Sequence, residues 1–159
     1  MPKERQSPDR PAGIEPSALP GIDELTIGVS GAEALRASEW LAASCRRRNV
    51  PPALAERLTL CLHEVLANVI SHGGGTAPIR LSLEVGLEQG RSRAGVTVSD
   101  AGLEFNPLSV PERVLPKTLG EATAGGLGLV MIRSCSDWLD YRREDGRNHL
   151  TFGARWNHR

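Results

Sequence analysis

Apolar positions in the middle of the chain recur with a helical period. Leu58, Leu62, Val65 and Val69 follow one another at steps of four, three and four, which lays one apolar stripe along a helix from about Ala53 to His72. Upstream, Leu25, Ile27 and Val29 sit at alternate positions, and Ile22 to Val29 is expected to form a strand at a sheet edge. Ser30 or Gly31 then opens a helix through about Asn49, with Leu35, Ala42 and Trp40 or Leu41 among its buried contacts, and Val50-Pro51-Pro52 stops it. Downstream, Ile79, Leu81, Leu83 and Val85 alternate with Arg80, Ser82 and Glu84, and Val96 and Val98 alternate with Thr97 and Ser99. These read as two half-buried partner strands joined by a polar turn from Gly86 to Gly95.

Leu103 to Gly125 has no clean period and carries Pro107, Pro111 and Pro116. A loop longer than ~12–15 residues inside a compact domain is usually functional or disordered, which makes this stretch a candidate lid. Gly125-Gly126-Leu127-Gly128-Leu129 opens a helix through about Cys135, and Trp138 to Arg143 with His149 to Ala154 form a closing hairpin around Glu144-Asp145-Gly146. Each strand alternates and each helix has one apolar stripe. The expected fold class is therefore α/β (α+β): a two-layer sandwich with a mainly antiparallel mixed sheet of about five strands and three helices on one face. Residues 1–21 hold Pro2, Pro8, Pro11, Pro16 and Pro20 among polar neighbours, with too few apolar side chains to offset the entropy of ordering. They are expected to be a disordered tail before one domain over 22–159.

Composition narrows the function classes. The 159 residues are 40% hydrophobic but only 4% aromatic, enough for one aliphatic core. Lys plus Arg equals Asp plus Glu at 19 each, so no net field draws the chain to nucleic acid or an anionic membrane. Arg46-Arg47-Arg48, the basic run, ends a helix where cations complement the macrodipole. Cys45, Cys61 and Cys135 are odd in number and widely spaced, which fits reduced thiols rather than a disulfide or zinc framework. With no apolar run near ~20 residues and a polar N-terminus, the expected localisation is cytoplasmic.

Three elements could carry chemistry. Glu64 and Asn68 stand one helical turn apart, about 40° around the axis, so a carboxylate and an amide project side by side at the edge of the apolar stripe. Asp100 and Gly102 end a strand. Gly126-Leu127-Gly128 opens a helix, where unpaired N–H groups and the dipole suit phosphate. Each alone has an ordinary reading: a solvated helix face, a turn, a loop end. The glycine segment is not a P-loop, because no Gly-Lys-Ser/Thr follows, and Met131 stands where a dinucleotide fingerprint needs its third glycine. His63 and His72 form no metal-ligand pattern, and Ser134 and Ser136 have no general base nearby in sequence.

Taken together the order is specific. Glu64-x-x-x-Asn68 on a helix, Asp100-x-Gly102 at a strand end, a long loop and then Gly126-x-Gly128-Leu129 resembles the ATP-binding domain shared by histidine kinases, gyrase and the Hsp90 chaperone. Within that superfamily the chain resembles the anti-sigma-factor serine kinases of the sporulation and stress-response type, over about residues 22 to 156. His72-Gly73, Phe105-Asn106-Pro107 and the hairpin from Tyr141-Arg142-Arg143 to Asn148-His149-Leu150 also carry it. The resemblance implies ATP and Mg²⁺ as cofactors. It implies that Asn68 holds the Mg²⁺ bridging the phosphates and that Glu64 orients or deprotonates the attacking hydroxyl. It gives Asp100 the adenine amino group, Gly102 a close approach of the purine, and Gly126 and Gly128 the phosphates, with Leu103 to Gly125 as the ATP lid. Lys117, with Arg113, is the lid cation able to meet the γ-phosphate.

The implied function is an ATP-dependent serine/threonine kinase that binds a sigma factor and phosphorylates a small antagonist protein. The resemblance also implies a homodimer through the face near the first strand and helix. Glu104 departs from the pattern, since many relatives carry a second glycine there, and its charge stands beside the expected pocket. The alternative function is a nucleotide-binding or degenerate module that sequesters a protein partner without transferring phosphate. A sensor histidine kinase would need a helical dimerisation segment carrying the phosphorylated histidine, which the proline-rich tail does not supply.

Overall fold

Two tight hairpins organise the sheet. In the computed structural model, which describes residues 18–111 and 126–157, β2 (Ile79–Glu88) turns into β3 (Arg91–Asp100), and β4 (Trp138–Glu144) turns into β5 (Arg147–Trp156). Both loops have two residues, Gln89-Gly90 and Asp145-Gly146, all at positive φ. That conformation matches the twist of the flanking strands. β1 (Gly21–Ile27) pairs with β2, and β3 pairs with β5, giving an antiparallel five-stranded sheet in the order β1-β2-β3-β5-β4.

The helices α1 (Gly31–Arg47), α2 (Pro52–His72) and α3 (Gly126–Cys135) cover one face of this sheet. Leu58, Leu62 and Val65 of α2 are buried as the stripe requires, with Cys61 and Leu66 beside them. They meet Ile79, Leu81, Leu83 and Val85 of β2, Val96 and Val98 of β3, and Leu150 and Phe152 of β5. The two-layer α+β architecture agrees with the alternation of the strands and the single stripe of each helix.

α1 begins with Ser30 as its cap, whose Oγ accepts from Glu33 N at 3.3 Å, while Glu33 Oε2 accepts from Gly28 N at 2.9 Å. These bonds end β1 at Ile27, two residues before the Val29 expected. At the far end of α1, Arg48 Nε donates to Asp23 Oδ2 at 2.9 Å and ties the helix to β1. The basic run is thus a structural clamp as well as a dipole partner.

Two sequence expectations fail for physical reasons. Leu35 is 63% exposed, and the buried face of α1 is Ala37, Leu41, Ser44 and Cys45. Leu41 is buried as expected, while the small Ala37, Ser44 and Cys45 beside it belong to no apolar stripe that the sequence reveals. Gly86 to Gly95 is not a turn but the paired ends of a long hairpin. Its charges are satisfied on the outer sheet face, where Glu88 bridges Arg93 and Arg155 at 2.8 Å each. On the same face the Trp138 ring occupies the space above Gly95 and Gly153, where a Cβ would collide with it, and Arg93 and Arg155 stack 5.2 and 5.6 Å from its centre.

Cys45, Cys61 and Cys135 are free thiols. Burial pushes Cys45 up to about 12 and Cys61 upward as well, so neither is a nucleophile near neutral pH. No helix among the described residues is long and apolar enough to cross a membrane. The tail through residue 17, Arg113 and Lys117, and residues 112–125 of the expected lid lie outside the described residues.

Candidate functional site

A cleft of about 290 Å³ opens between α2, the ends of β3 and β5, and α3. Its walls are aliphatic, from Val65, Val69, Val98, Leu129, Ile132 and Leu150, and Asp100 and Asn68 are among the polar groups that face it. The arrangement follows from strand parity. Val96, Val98 and Asp100 share the inward face of β3, and Asn148, Leu150 and Phe152 share that of β5, with Asp100 directly opposite Asn148.

Asp100 is buried and its Oδ1 accepts from Gly102 N at 2.9 Å and from Asn148 Nδ2 at 3.1 Å. Among the described residues, no donor reaches its Oδ2. Gly102 has a reason for lacking a side chain within the protein itself: a Cβ there would lie 2.5 Å from the Gly73 carbonyl oxygen and 2.9 Å from Asp100 Oδ1. The same carbonyl accepts from Leu103 N at 2.9 Å, so the end of α2 is stitched to the turn after β3.

At the other end of the site, α3 starts against α2. A Cβ on Gly128 would lie 3.1 Å from Glu64 Oε2, 3.6 Å from Asn68 Oδ1 and 3.7 Å from Asn68 Nδ2. Glu64, Asn68 and the first turn of α3, which begins at Gly126, are therefore neighbours despite ~60 intervening residues, a contact that a compact α/β layer permits. Arg133, further along α3, donates to the carbonyls of Pro107 and Val110 at 2.9 and 2.5 Å, anchoring the segment that leads into the expected lid. Glu104 is exposed at the rim of the cleft. Burial and then the charge of Glu104 push the Tyr141 phenol upward.

These residues fit a purine nucleotide carrying a divalent cation. The cleft offers flat apolar walls for a base and one buried carboxylate acceptor, while the Gly128 contact leaves backbone N–H groups at a helix start for phosphate. Among the described residues no three His, Cys, Asp or Glu side chains form a metal cluster. The donors present, an amide and a carboxylate, suit a hard cation that keeps ligands from the phosphates.

Asn148, Tyr141 and Arg143 have no individual role in the sequence reading, although their hairpin belongs to the resemblance. Tyr141 Oη donates to Asn148 Oδ1 at 2.7 Å and Arg143 Nη1 donates to it at 3.0 Å. The available signal was parity: an asparagine at the inward position of a strand whose next inward residues are Leu150 and Phe152 must be a satisfied buried polar group.

Comparisons with known proteins identify the family. Residues 30–153 match the model of the histidine kinase-like ATPase domain. The serine/threonine-protein kinase BtrW of Bordetella bronchiseptica is 34% identical over 132 residues, which are 81% of this chain and 90% of that protein. Among solved structures, the RsbU and RsbW domains of Rv1364c from Mycobacterium tuberculosis share the fold, with a TM-score of 0.60 and 12% identity over 87% of this chain. The chain spans about a third of that protein's length, at 34%. By the family match, and by its likeness to a relative over most of both lengths, the chain belongs to the histidine kinase-like ATPase domain family.

Proposed function

We propose that the chain is an ATP-dependent serine/threonine protein kinase acting as an anti-sigma regulatory factor, which phosphorylates a small antagonist protein and sequesters a sigma factor. The observation that carries this reading is the placement of Glu64 and Asn68 against Gly128 at one end of a cleft whose other end is the buried Asp100. The name of the 34%-identical relative, a serine/threonine-protein kinase, supports the reaction class.

Asp100 accepts the amino group of the base, and the aliphatic walls of α2, β3, β5 and α3 hold the ring. Asn68 supplies an oxygen to Mg²⁺, and the backbone at Gly126 and Gly128 donates to phosphate oxygens. ATP supplies the phosphoryl group, whose transfer needs positioning and charge neutralisation more than covalent help from the protein. Glu64, beside Asn68, orients the acceptor hydroxyl and takes its proton. Glu104 stands exposed at the rim of the cleft, where its charge already acts on the Tyr141 phenol.

Incubation with labelled ATP, Mg²⁺ and candidate antagonists encoded by the same genome tests the proposal. Label on a serine or threonine of one antagonist is the expected result. ATP binding by calorimetry without transfer to any candidate would favour the sequestering module, and no binding at millimolar ATP would remove the kinase.

A further inference from the structure

The Asn148 side chain is bracketed by groups that cannot exchange roles. Arg143 can only donate, and its Nη1 meets Asn148 Oδ1 at 3.0 Å while also donating to the Gly102 carbonyl at 2.9 Å. On the other side the Leu103 carbonyl can only accept, and it takes Asn148 Nδ2 at 2.8 Å. The amide is therefore held one way round. Its second Nδ2 hydrogen points at Asp100 Oδ1, 3.1 Å away, an oxygen that Gly102 N also reaches at 2.9 Å. With Oδ1 doubly occupied, Oδ2 is the acceptor left for the cleft.

We infer that Arg143, Asn148 and Asp100 form a positioning relay that presents an acceptor-only carboxylate oxygen to the cleft and so selects a purine with an amino group at C6 over one with a carbonyl there. The inference deepens the proposed function and rests on its nucleotide reading. The relay is built from hydrogen bonds alone. Donors from Arg143, Tyr141 and the Phe105 backbone orient an amide, the amide fills one carboxylate oxygen, and the other oxygen repels a carbonyl while welcoming an N–H. Asn148 is a positioning residue here, acting through Asp100.

ATP and ITP are the probes, because they share ribose and triphosphate and differ only in the base, where inosine has a carbonyl at C6. Calorimetry on the full chain with Mg²⁺ gives the ratio of their dissociation constants. The wild type is expected to favour ATP by about 10- to 100-fold, the range for a site whose buried acceptor would be left unpaired. Asn148→Asp keeps the shape and the acceptor for Arg143 but turns an oxygen toward Asp100 and Leu103. Its ratio is expected to fall at least about threefold, since Asp100 Oδ1 loses its amide donor and the carboxylate is no longer held with Oδ2 alone toward the cleft.

A merely structural role would weaken both nucleotides equally and leave the ratio unchanged, and that result in a folded Asn148→Asp protein overturns the relay. If Asn148→Asp does not fold, Asn148→Ala, which removes the Nδ2 donor to Asp100 without adding a charge, reports the same ratio. A drop of at least about threefold is expected there, and no drop overturns the inference. A wild type that binds ATP and ITP equally overturns the relay while sparing the nucleotide reading. A wild type that binds neither at millimolar concentration removes both.

Discussion

The place a Cβ would take on Gly128 lies 3.1 Å from Oε2 of Glu64, so the start of α3 and the middle of α2 approach as closely as a missing side chain allows. Gly128→Ala should therefore separate folding from ligand binding. The helix gains up to about 1 kcal/mol of propensity and gives some of it back to the tight contact, so the urea midpoint should barely move. The added methyl intrudes between Glu64, Asn68 and the phosphate cradle, and ATP affinity should fall at least about tenfold. Calorimetry and urea titration on the same preparation check both halves.

Glu64 and Asn68 should respond differently to substitution. Glu64→Gln keeps size and hydrogen-bonding shape but cannot take a proton, so phosphate transfer should drop about 10²–10⁴-fold with little change in ATP affinity. Asn68→Ala removes a metal ligand, so nucleotide affinity and transfer should fall together, with part of the loss hidden at high Mg²⁺. A wild-type transfer rate in Glu64→Gln would sink the catalytic assignment.

Gly102→Ala is a test of packing. Its Cβ would press on the Gly73 carbonyl at 2.5 Å and on Asp100 Oδ1 at 2.9 Å, atoms that hold the end of α2 to the turn after β3. Overpacking of this kind costs about 1–3 kcal/mol. Urea denaturation should show a lower midpoint at unchanged slope, and an unshifted midpoint would contradict the contact.

Much of this was legible in the sequence because period and glycine placement are local signals. The stripe through Leu58, Leu62 and Val65 predicts α2, and Asp145-Gly146 predicts the closing turn. The inner face of α1 was legible only at Leu41, since Ala37, Ser44 and Cys45 are small side chains that carry little apolar signal of their own. The long β2–β3 hairpin was hidden because Glu88, Arg93 and Arg155 find partners only across strands. At the site, Glu64, Asn68 and Gly128 come together as their order suggested. The role of Asn148 depends on Arg143, Leu103 and Asp100, and those contacts exist only in the assembled sheet.

The clamp between Asp23 and Arg48 should make stability depend on acid pH. The hydrogen bond from Arg48 holds the Asp23 carboxyl below its ordinary 3.8. Its native value is depressed, so the stabilisation is fully present above the ordinary value and is lost as pH falls through the native one. For a pair only partly shielded from water the effect is about 1 kcal/mol. Asp23→Asn should lower the urea midpoint at pH 7, and the gap to the wild type should close near pH 2.

The tryptophan laid across the outer face of the sheet bears on how the chain avoids misfolding. Gly95 and Gly153 stand side by side on neighbouring strands, and Trp138 pairs with Gly153 from the other side, so only this alignment leaves a bare floor for the indole. Sliding β3 against β5 by one residue would reverse every inward side chain and bring Val96 or Phe152 out beneath the ring. The steric fit of one aromatic residue thereby keys three strands to a single alignment: a sheet in which Trp138 lies over both glycines is one in which Asp100 stands opposite Asn148.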